Sequence, residues 1–336
     1  QQRVEPPVFL PHLFKRPHAH HLFTASIPQR AGKFHLSFWR KSGYTEKKEE
    51  KAAHFMFARL YLEITTCCNR ACSFCPGTAR PAAFLSPADF RVLAAKLRPY
   101  GQHLYLHVMG EPLLHPQLEE ILSICEALDF RVNITTNGTL LPQREAVLLS
   151  SPALRKVSVS LHSFEANERG GFAAYLAGCT DFAKAAQPRG ILTDFRLWNL
   201  DGAETTGLHA QNDAILAHLR AEFPEPWTKN TWGWRLTDGV FLSYGEKFDW
   251  PDEHARDYGA AGRCRALFDQ LAVLCDGTLV PCCLDRDGKL ALGNLFTQEL
   301  DAILASARAD AMRAGFLRGE RAEALCRRCG YAGRFG

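Results

Sequence analysis

The chain has 336 residues, of which 46% are hydrophobic, and carries 40 Lys and Arg against 36 Asp and Glu, a formal net charge of +4. That length suits a single barrel with an appendage and a sizeable core. The near-balanced charge argues against a nucleic-acid-binding body, and no stretch of about eighteen apolar residues is available to span a membrane.

Residues 1–54 stand apart. They hold ten basic and four acidic residues, against thirty and thirty-two in the remainder, so the excess positive charge belongs to this arm. It also contains six of the thirteen His, in runs such as "PHLFKRPHAHH", without helical or strand periodicity. It reads as a poorly structured basic, His-rich extension. The alternatives are targeting or metal capture by His18, His20 and His21. The chain starts with Gln, as a fragment or processed product would, and no apolar stretch is long enough for a signal peptide.

From residue 58 short apolar runs alternate with helical ones. "RLYLEIT" (59–65), "HLYLHVM" (103–109), "FRVNITT" (130–136), "KVSVSLH" (156–162) and "ILTDFRLWN" (191–199) read as strands. Between them "SPADFRVLAAKLRP" and "HPQLEEILSICEAL" read as helices, the first with Ser86 as cap and Pro87 in the first turn. This rhythm predicts a parallel sheet with right-handed crossovers, open or closed, in which active sites gather at the C-terminal strand ends.

Four cysteines fall at the end of the first strand in "ITTCCNRACSFCPG". Cys68, Cys72 and Cys75 make C-x3-C-x2-C; Cys67 cannot begin that spacing because position 71 is Ala. Steps of four and three would also align on one face of a buried helix, but the β-rich run before them and Pro76-Gly77 after them oppose a helix. A structural zinc site usually takes four ligands. Three thiolates on a four-iron cluster leave one iron open, as a catalytic centre requires.

The run "CNRACSFC" resembles the signature of the radical S-adenosylmethionine (radical SAM) enzymes. The resemblance implies a partial (β/α)6 TIM-like barrel and a [4Fe-4S] cluster whose free iron is chelated by SAM. It further implies reductive cleavage to a 5′-deoxyadenosyl radical that takes hydrogen from a substrate, with a low-potential donor such as ferredoxin or flavodoxin. "MGEP" (109–112) resembles the family's G-G-E-P with Met in the first place, which assigns Gly110, Glu111 and Pro112 to the cofactor, Glu111 as acceptor for the methionine ammonium. "TTNG" (135–138) resembles the third cofactor-contacting edge, with Thr136 and Asn137, and Ser160 and His162 resemble the fourth. Phe74 takes the aromatic position beside the adenine, and Asn199 in "RLWN" completes the expected set.

At the other end, Cys264, Cys282, Cys326 and Cys329 occur in "GRCRALFDQLAVLCDGTLVPCC" and "LCRRCGY". "DGTLVPC" reads as a hairpin turn at Asp276-Gly277 and a strand that delivers a thiolate. With "LGNLF" these resemble the twitch form of the SPASM domain, which implies one auxiliary [4Fe-4S] cluster; a zinc ribbon is the alternative. Cys283 is the alternative to Cys282 as ligand, and Cys125, Cys179 and Cys275 read as buried small apolar residues.

Five of the six Trp, at 198, 227, 232, 234 and 250, precede the C-terminal cysteines, around the polar phrase "SYGEKFDWPDEH". They suit either a substrate pocket or interdomain packing. No general base is identifiable; Glu246, Asp249, Asp252 and His254 qualify by position alone. The expected organisation is an extension over 1–54, a barrel over 55–225, an aromatic-rich bridge over 226–262 and an auxiliary domain over 263–336. The expected function is oxidative modification of a peptide or protein in a reducing cytoplasm, with neither nucleic acid nor membrane as partner. Dehydrogenation of a small-molecule alcohol, or a non-enzymatic iron-sulfur or zinc scaffold, are the alternatives.

Overall fold

Parallel strands separated by helices require a sheet, and the computed structural model places eleven strands in one. It describes residues 56–164, 171–200, 210–231 and 233–335. The N-terminal extension with His18, His20 and His21, and Trp232, lie outside the described residues.

Five strands fall where their apolar runs predicted: β1 (Arg59–Leu62), β2 (His103–Tyr105), β3 (Arg131–Thr136), β4 (Leu154–Ser160) and β5 (Leu192–Leu200). Helices α1 (Pro87–Leu97), α2 (Leu118–Ala127), α3 (Leu141–Ser150) and α4 (Phe172–Ala186) connect them. Ser86 caps α1 by accepting from the Asp89 N–H at 3.1 Å, the role its position before Pro87 predicted. The inner helix faces bury Phe90, Leu93, Leu97, Ile121 and Phe182 against the sheet.

After α5 (Ala210–Glu222) the chain makes an antiparallel excursion through β6 (Thr228–Asn230) and β7 (Gly233–Thr237) into β8 (Val240–Glu246). β8 pairs parallel to β5, so a sixth parallel strand lies inside residues 226–262, the segment expected to be a bridge. Its sequence, "VFLSYGE", follows the turn "TDG" and alternates buried with half-buried residues, a pattern that short hairpin strands share with barrel strands.

The other edge of the sheet is continued by the C-terminal segment. β9 (Gln270–Val273) pairs parallel to β1, and β10 (Thr278–Val280) returns antiparallel to it through the turn at Asp276-Gly277, where Gly277 has φ +80°. β11 (Gly293–Asn294) closes that edge, so the strand order is β11-β10-β9-β1-β2-β3-β4-β5-β8-β7-β6. Helices α6 (Leu300–Leu304), α7 (Ala307–Arg318) and α8 (Ala324–Arg327) follow. Barrel and C-terminal segment thus share one sheet and one compact unit.

Candidate active site and metal centres

The cysteine loop lies over the C-terminal strand ends, and residues between the cysteines tie it down. Asn69 donates to Thr139 Oγ1 and accepts from Asn137 Nδ2, both at 2.9 Å. Arg70 donates to the Ser163 carbonyl at 2.9 Å, and its guanidinium lies 5.0 Å from the Phe164 ring centroid. The loop is thereby anchored beyond β3 and β4, which leaves Cys68 and Cys75 exposed and Cys72 half-buried at the mouth. Burial raises the Cys68 thiol, and the neighbouring Glu111 carboxylate and Cys75 add to that shift. A bound cation centre would reverse that balance by favouring the thiolates.

Glu111 is buried, 2% exposed, and accepts from the backbone N–H groups of Asn137 at 2.7 Å and Leu113 at 3.0 Å. Burial raises its pKa, opposed by those bonds and one from Thr136. Gly110, at φ +73°, admits the close approach of the cysteine loop: a Cβ there would meet the Thr65 carbonyl oxygen at 2.4 Å. Pro112 starts the turn that presents Glu111. Thr136 and Asn137 therefore hold Glu111 and Asn69 in place.

At the fourth strand end, His162 stands 4.7 Å from Phe74, ring centroid to centroid, so the two residues expected at the cofactor edge do meet. His162 Nδ1 lies 3.0 Å from the Arg196 carbonyl, which can only accept, and 3.4 Å from the Trp198 N–H; the shorter contact favours the proton on Nδ1. Burial lowers its pKa to about 4 and keeps the ring neutral. Ser160 is half-buried beside it at the end of β4. Asn199 is not joined to this group: it is buried, and its amide exchanges hydrogen bonds of 3.0 and 3.2 Å with Asn212 of α5.

The C-terminal cysteines converge. Cys264, Cys282, Cys326 and Cys329 line one cavity with Pro281, Leu284, Leu325 and Tyr331, whereas Cys283 packs against the buried cluster of Tyr61, Val108 and Met109. The adjacent pair lies in the turn that follows β10, and the two side chains go to different surroundings. Burial lifts the Cys282 thiol well above its ordinary value, and the neighbouring cysteines add to it; burial raises Cys264 to about 11. Among the described residues no three Cys, His, Asp or Glu side chains close around a point as a single ion would draw them; the four thiols wall a cavity. The donor set fits a group that brings its own positive charge. Cys125 and Cys179 are buried as expected, but Cys275 is a partly buried hydrogen-bonding residue, its thiol donating to the Glu63 carbonyl at 3.3 Å.

Glu63 went unnoticed in the sequence. Fully buried, it takes a two-pronged ion pair from Arg80 at 2.6 and 2.7 Å and accepts from the N–H groups of Met109 and Cys275 at 3.0 and 3.1 Å. Thr78 and Arg80 also bond Asp287 and the Arg286 carbonyl, at 2.6 and 2.8 Å. The cysteine loop, the Gly110-Glu111 turn and the auxiliary segment therefore meet at one carboxylate. Only its place at the end of the first strand run hinted at this.

A half-open cavity of about 620 Å³ adjoins Phe74 and is lined by Trp198, Glu246, Phe248, Asp249, Trp250 and Arg334. Two of the Trp expected at a pocket are there; Trp227 instead donates to the Phe223 carbonyl at 2.7 Å, and Trp234 sits on β7 beside Lys229. Glu246 and Asp249 reach the cavity, whereas Asp252 pairs with Arg286 at 2.8 Å and His254 is exposed.

Residues 62–197 match the family model of the radical SAM superfamily, and residues 264–330 match SPASM, an iron-sulfur cluster-binding domain. The chain therefore carries a radical SAM domain followed by a SPASM-type segment. The two domains imply a [4Fe-4S] cluster with SAM and auxiliary iron-sulfur binding. The chain is 31% identical over 162 residues to a GTP 3′,8-cyclase of Synechococcus sp. (strain CC9902), which covers 46% of this chain and 45% of that protein. The chain thus spans about half the length of the curated relatives it matches. Among solved structures it is similar to BtrN in complex with AdoMet and 2-DOIA (TM-score 0.53, 19% identity, covering 82% of this chain and 93% of that one). It is also similar to Streptococcus suis SuiB bound to precursor peptide SuiA (TM-score 0.53, 14% identity, 83% and 71%). Both share the fold, which combines a partial barrel with a C-terminal auxiliary segment. No described helix is long and apolar enough to cross a membrane.

Proposed function

We propose that this chain cleaves SAM reductively and oxidises a substrate held in the aromatic cavity, most simply a peptide or protein side chain. The observation that carries this reading is the joint position of the three loop thiols, the Phe74–His162 edge and the cavity at one barrel mouth. Cys68, Cys72 and Cys75 would hold the first cluster, which when reduced supplies the electron that splits SAM into methionine and a 5′-deoxyadenosyl radical. Cys264, Cys282, Cys326 and Cys329 would hold the auxiliary cluster, as the acceptor of the substrate's second electron.

The chain's own residues set the geometry. Asn69 and Arg70 fix the cysteine loop, Gly110 lets it approach, and Glu111 offers its remaining lone pairs to the methionine ammonium. Neutral His162 presents Nε2 as an acceptor beside Phe74. Glu246 and Asp249 stand in the cavity to receive the proton that leaves with the substrate's oxidation. Protonation-competent thiols at both centres suit a reducing compartment such as the cytoplasm, and a ferredoxin or flavodoxin suits the electron demand.

A second reading, dehydrogenation of a small-molecule alcohol, is favoured by the cavity size, about 620 Å³, which lies within the range of roughly 300–1,000 Å³ of small-molecule sites. The deciding experiment is anaerobic: the reconstituted, reduced protein is expected to release 5′-deoxyadenosine and methionine from SAM. Full iron loading without either product would make the chain a redox or scaffold protein.

A further inference from the structure

Four side-chain atoms in the barrel interior are buried without a hydrogen-bond partner: Arg196 Nε, Trp198 Nε1, Ser243 Oγ and His107 Nδ1. Arg196 and Trp198 are two apart on β5 and share a face, and Ser243 of β8 is the register partner of Arg196. His107 follows β2 and lies within electrostatic reach of Arg196. The guanidinium carbon sits 3.6 Å from the Trp198 ring centroid. Gly245 leaves room for that ring, since a Cβ there would meet it at 2.9 Å, and Trp198 also lines the cavity.

No carboxylate is paired with Arg196 among the described residues. Asp194, two positions below on the same face, gives Oδ2 to Lys156 at 2.8 Å and acts on Arg196 through its charge alone, its Oδ1 being buried without a hydrogen-bond partner. Buried polar groups in native proteins are nearly always paired, so this group of atoms next to Arg196 is open to a partner from outside the chain. Guanidinium and indole N–H groups can only donate, a hydroxyl can donate, and His107 is kept neutral by burial. The complement of this set is an acceptor with two oxygens and one negative charge.

We propose that Arg196, Trp198, Ser243 and His107 form a receptor for a substrate carboxylate in the barrel interior, next to the cavity that Trp198 lines. This rests on the reading that the cavity holds the substrate. The carboxylate belongs either to a small acid or to a peptide terminus or acidic side chain; both present the same group to Arg196.

The test is anaerobic calorimetry on the cluster-loaded protein without reductant, with benzoate, its neutral isostere benzamide and phenyl phosphate as probes. Benzoate is expected to bind on the order of tenfold or more tightly than the other two, and Arg196→Gln to weaken it by about tenfold to a hundredfold. Arg196→Lys should restore part of that loss, and Trp198→Phe, which keeps the ring and removes one N–H, should cost a few-fold. SAM affinity should stay within about twofold in Arg196→Gln, the margin of a group outside the cofactor site. Equal binding of benzoate and benzamide would overturn the receptor. So would loss of SAM binding in Arg196→Gln with benzoate unaffected, since the guanidinium would then serve the carboxylate of SAM. Benzoylglycine against a short peptide with a free terminus separates small acid from peptide. No SAM cleavage enters these titrations, so failure to form 5′-deoxyadenosine would overturn the proposed function while leaving this measurement to stand or fall by itself.

Discussion

Glu63→Gln is the most informative single change, because one buried carboxylate joins three segments. In the native protein Arg80 reaches it with two bonds, at 2.6 and 2.7 Å, and the N–H groups of Met109 and Cys275 point at the same two oxygens. Glu63 is fully buried and the Arg80 side chain is 14% exposed, so the amide would leave a largely desolvated guanidinium without its anion. Removing one partner of such a pair costs about 3–5 kcal/mol, and the partial exposure of Arg80 sets the lower end, about 3 kcal/mol. At about 2–4 °C per kcal/mol, the melting temperature should fall by about 6–12 °C. Circular dichroism of the anaerobic, cluster-loaded protein measures this. The double variant Glu63→Leu/Arg80→Met, which removes both charges, should lose less than the sum of its two single changes. A melting temperature within about 1 °C of wild type for Glu63→Gln, or strict additivity in the cycle, would refute the joint, since a solvated surface pair contributes about that little.

Gly110→Ala should displace the cysteine loop, because its Cβ would meet two backbone oxygens, of Thr65 at 2.4 Å and Cys67 at 2.9 Å, at φ +73°; strain of about 1–3 kcal/mol should appear as loss of first-cluster iron with auxiliary iron retained. Cys282→Ala should lower bound iron toward about four per chain and Cys283→Ala should not, because only Cys282 shares the cavity with Cys264, Cys326 and Cys329; full iron with loss of a stoichiometric zinc in Cys282→Ala would make that site a zinc ribbon. Burial lowers His162 to about 4 and His107 to about 3, so the unfolded chain binds their protons first as pH falls below about 6.5. Each should therefore remove about 1.4 kcal/mol of stability between pH 7.5 and 5.5. Urea midpoints for wild type and His107→Gln check this: the variant's decline should be smaller by the His107 share, about 1.4 kcal/mol, and an unchanged slope would place His107 in contact with water.

The order of elements was written locally. Five parallel strands are marked by their apolar runs, Ser86 and Pro87 mark the start of a helix, and Cys68, Cys72 and Cys75 are selected by spacing alone, because a chain turn of fixed length sets which thiols can meet. Pairing across the chain was not. Nothing local distinguishes "VFLSYGE" as the sixth barrel strand, since parallel partnership with β5 is decided by β5, and nothing in "RLYLEIT" marks Glu63 as the anion for Arg80 and for N–H groups 46 and 212 residues away. Tertiary structure likewise assigned Cys282 to the thiol cavity and Cys283 to the barrel, turned Asn199 onto Asn212, and left Arg196 Nε without a hydrogen-bond partner among the described residues. Spacing and periodicity report what the backbone does over a few residues; which buried charge finds a counter-charge depends on segments that only the closed sheet brings together.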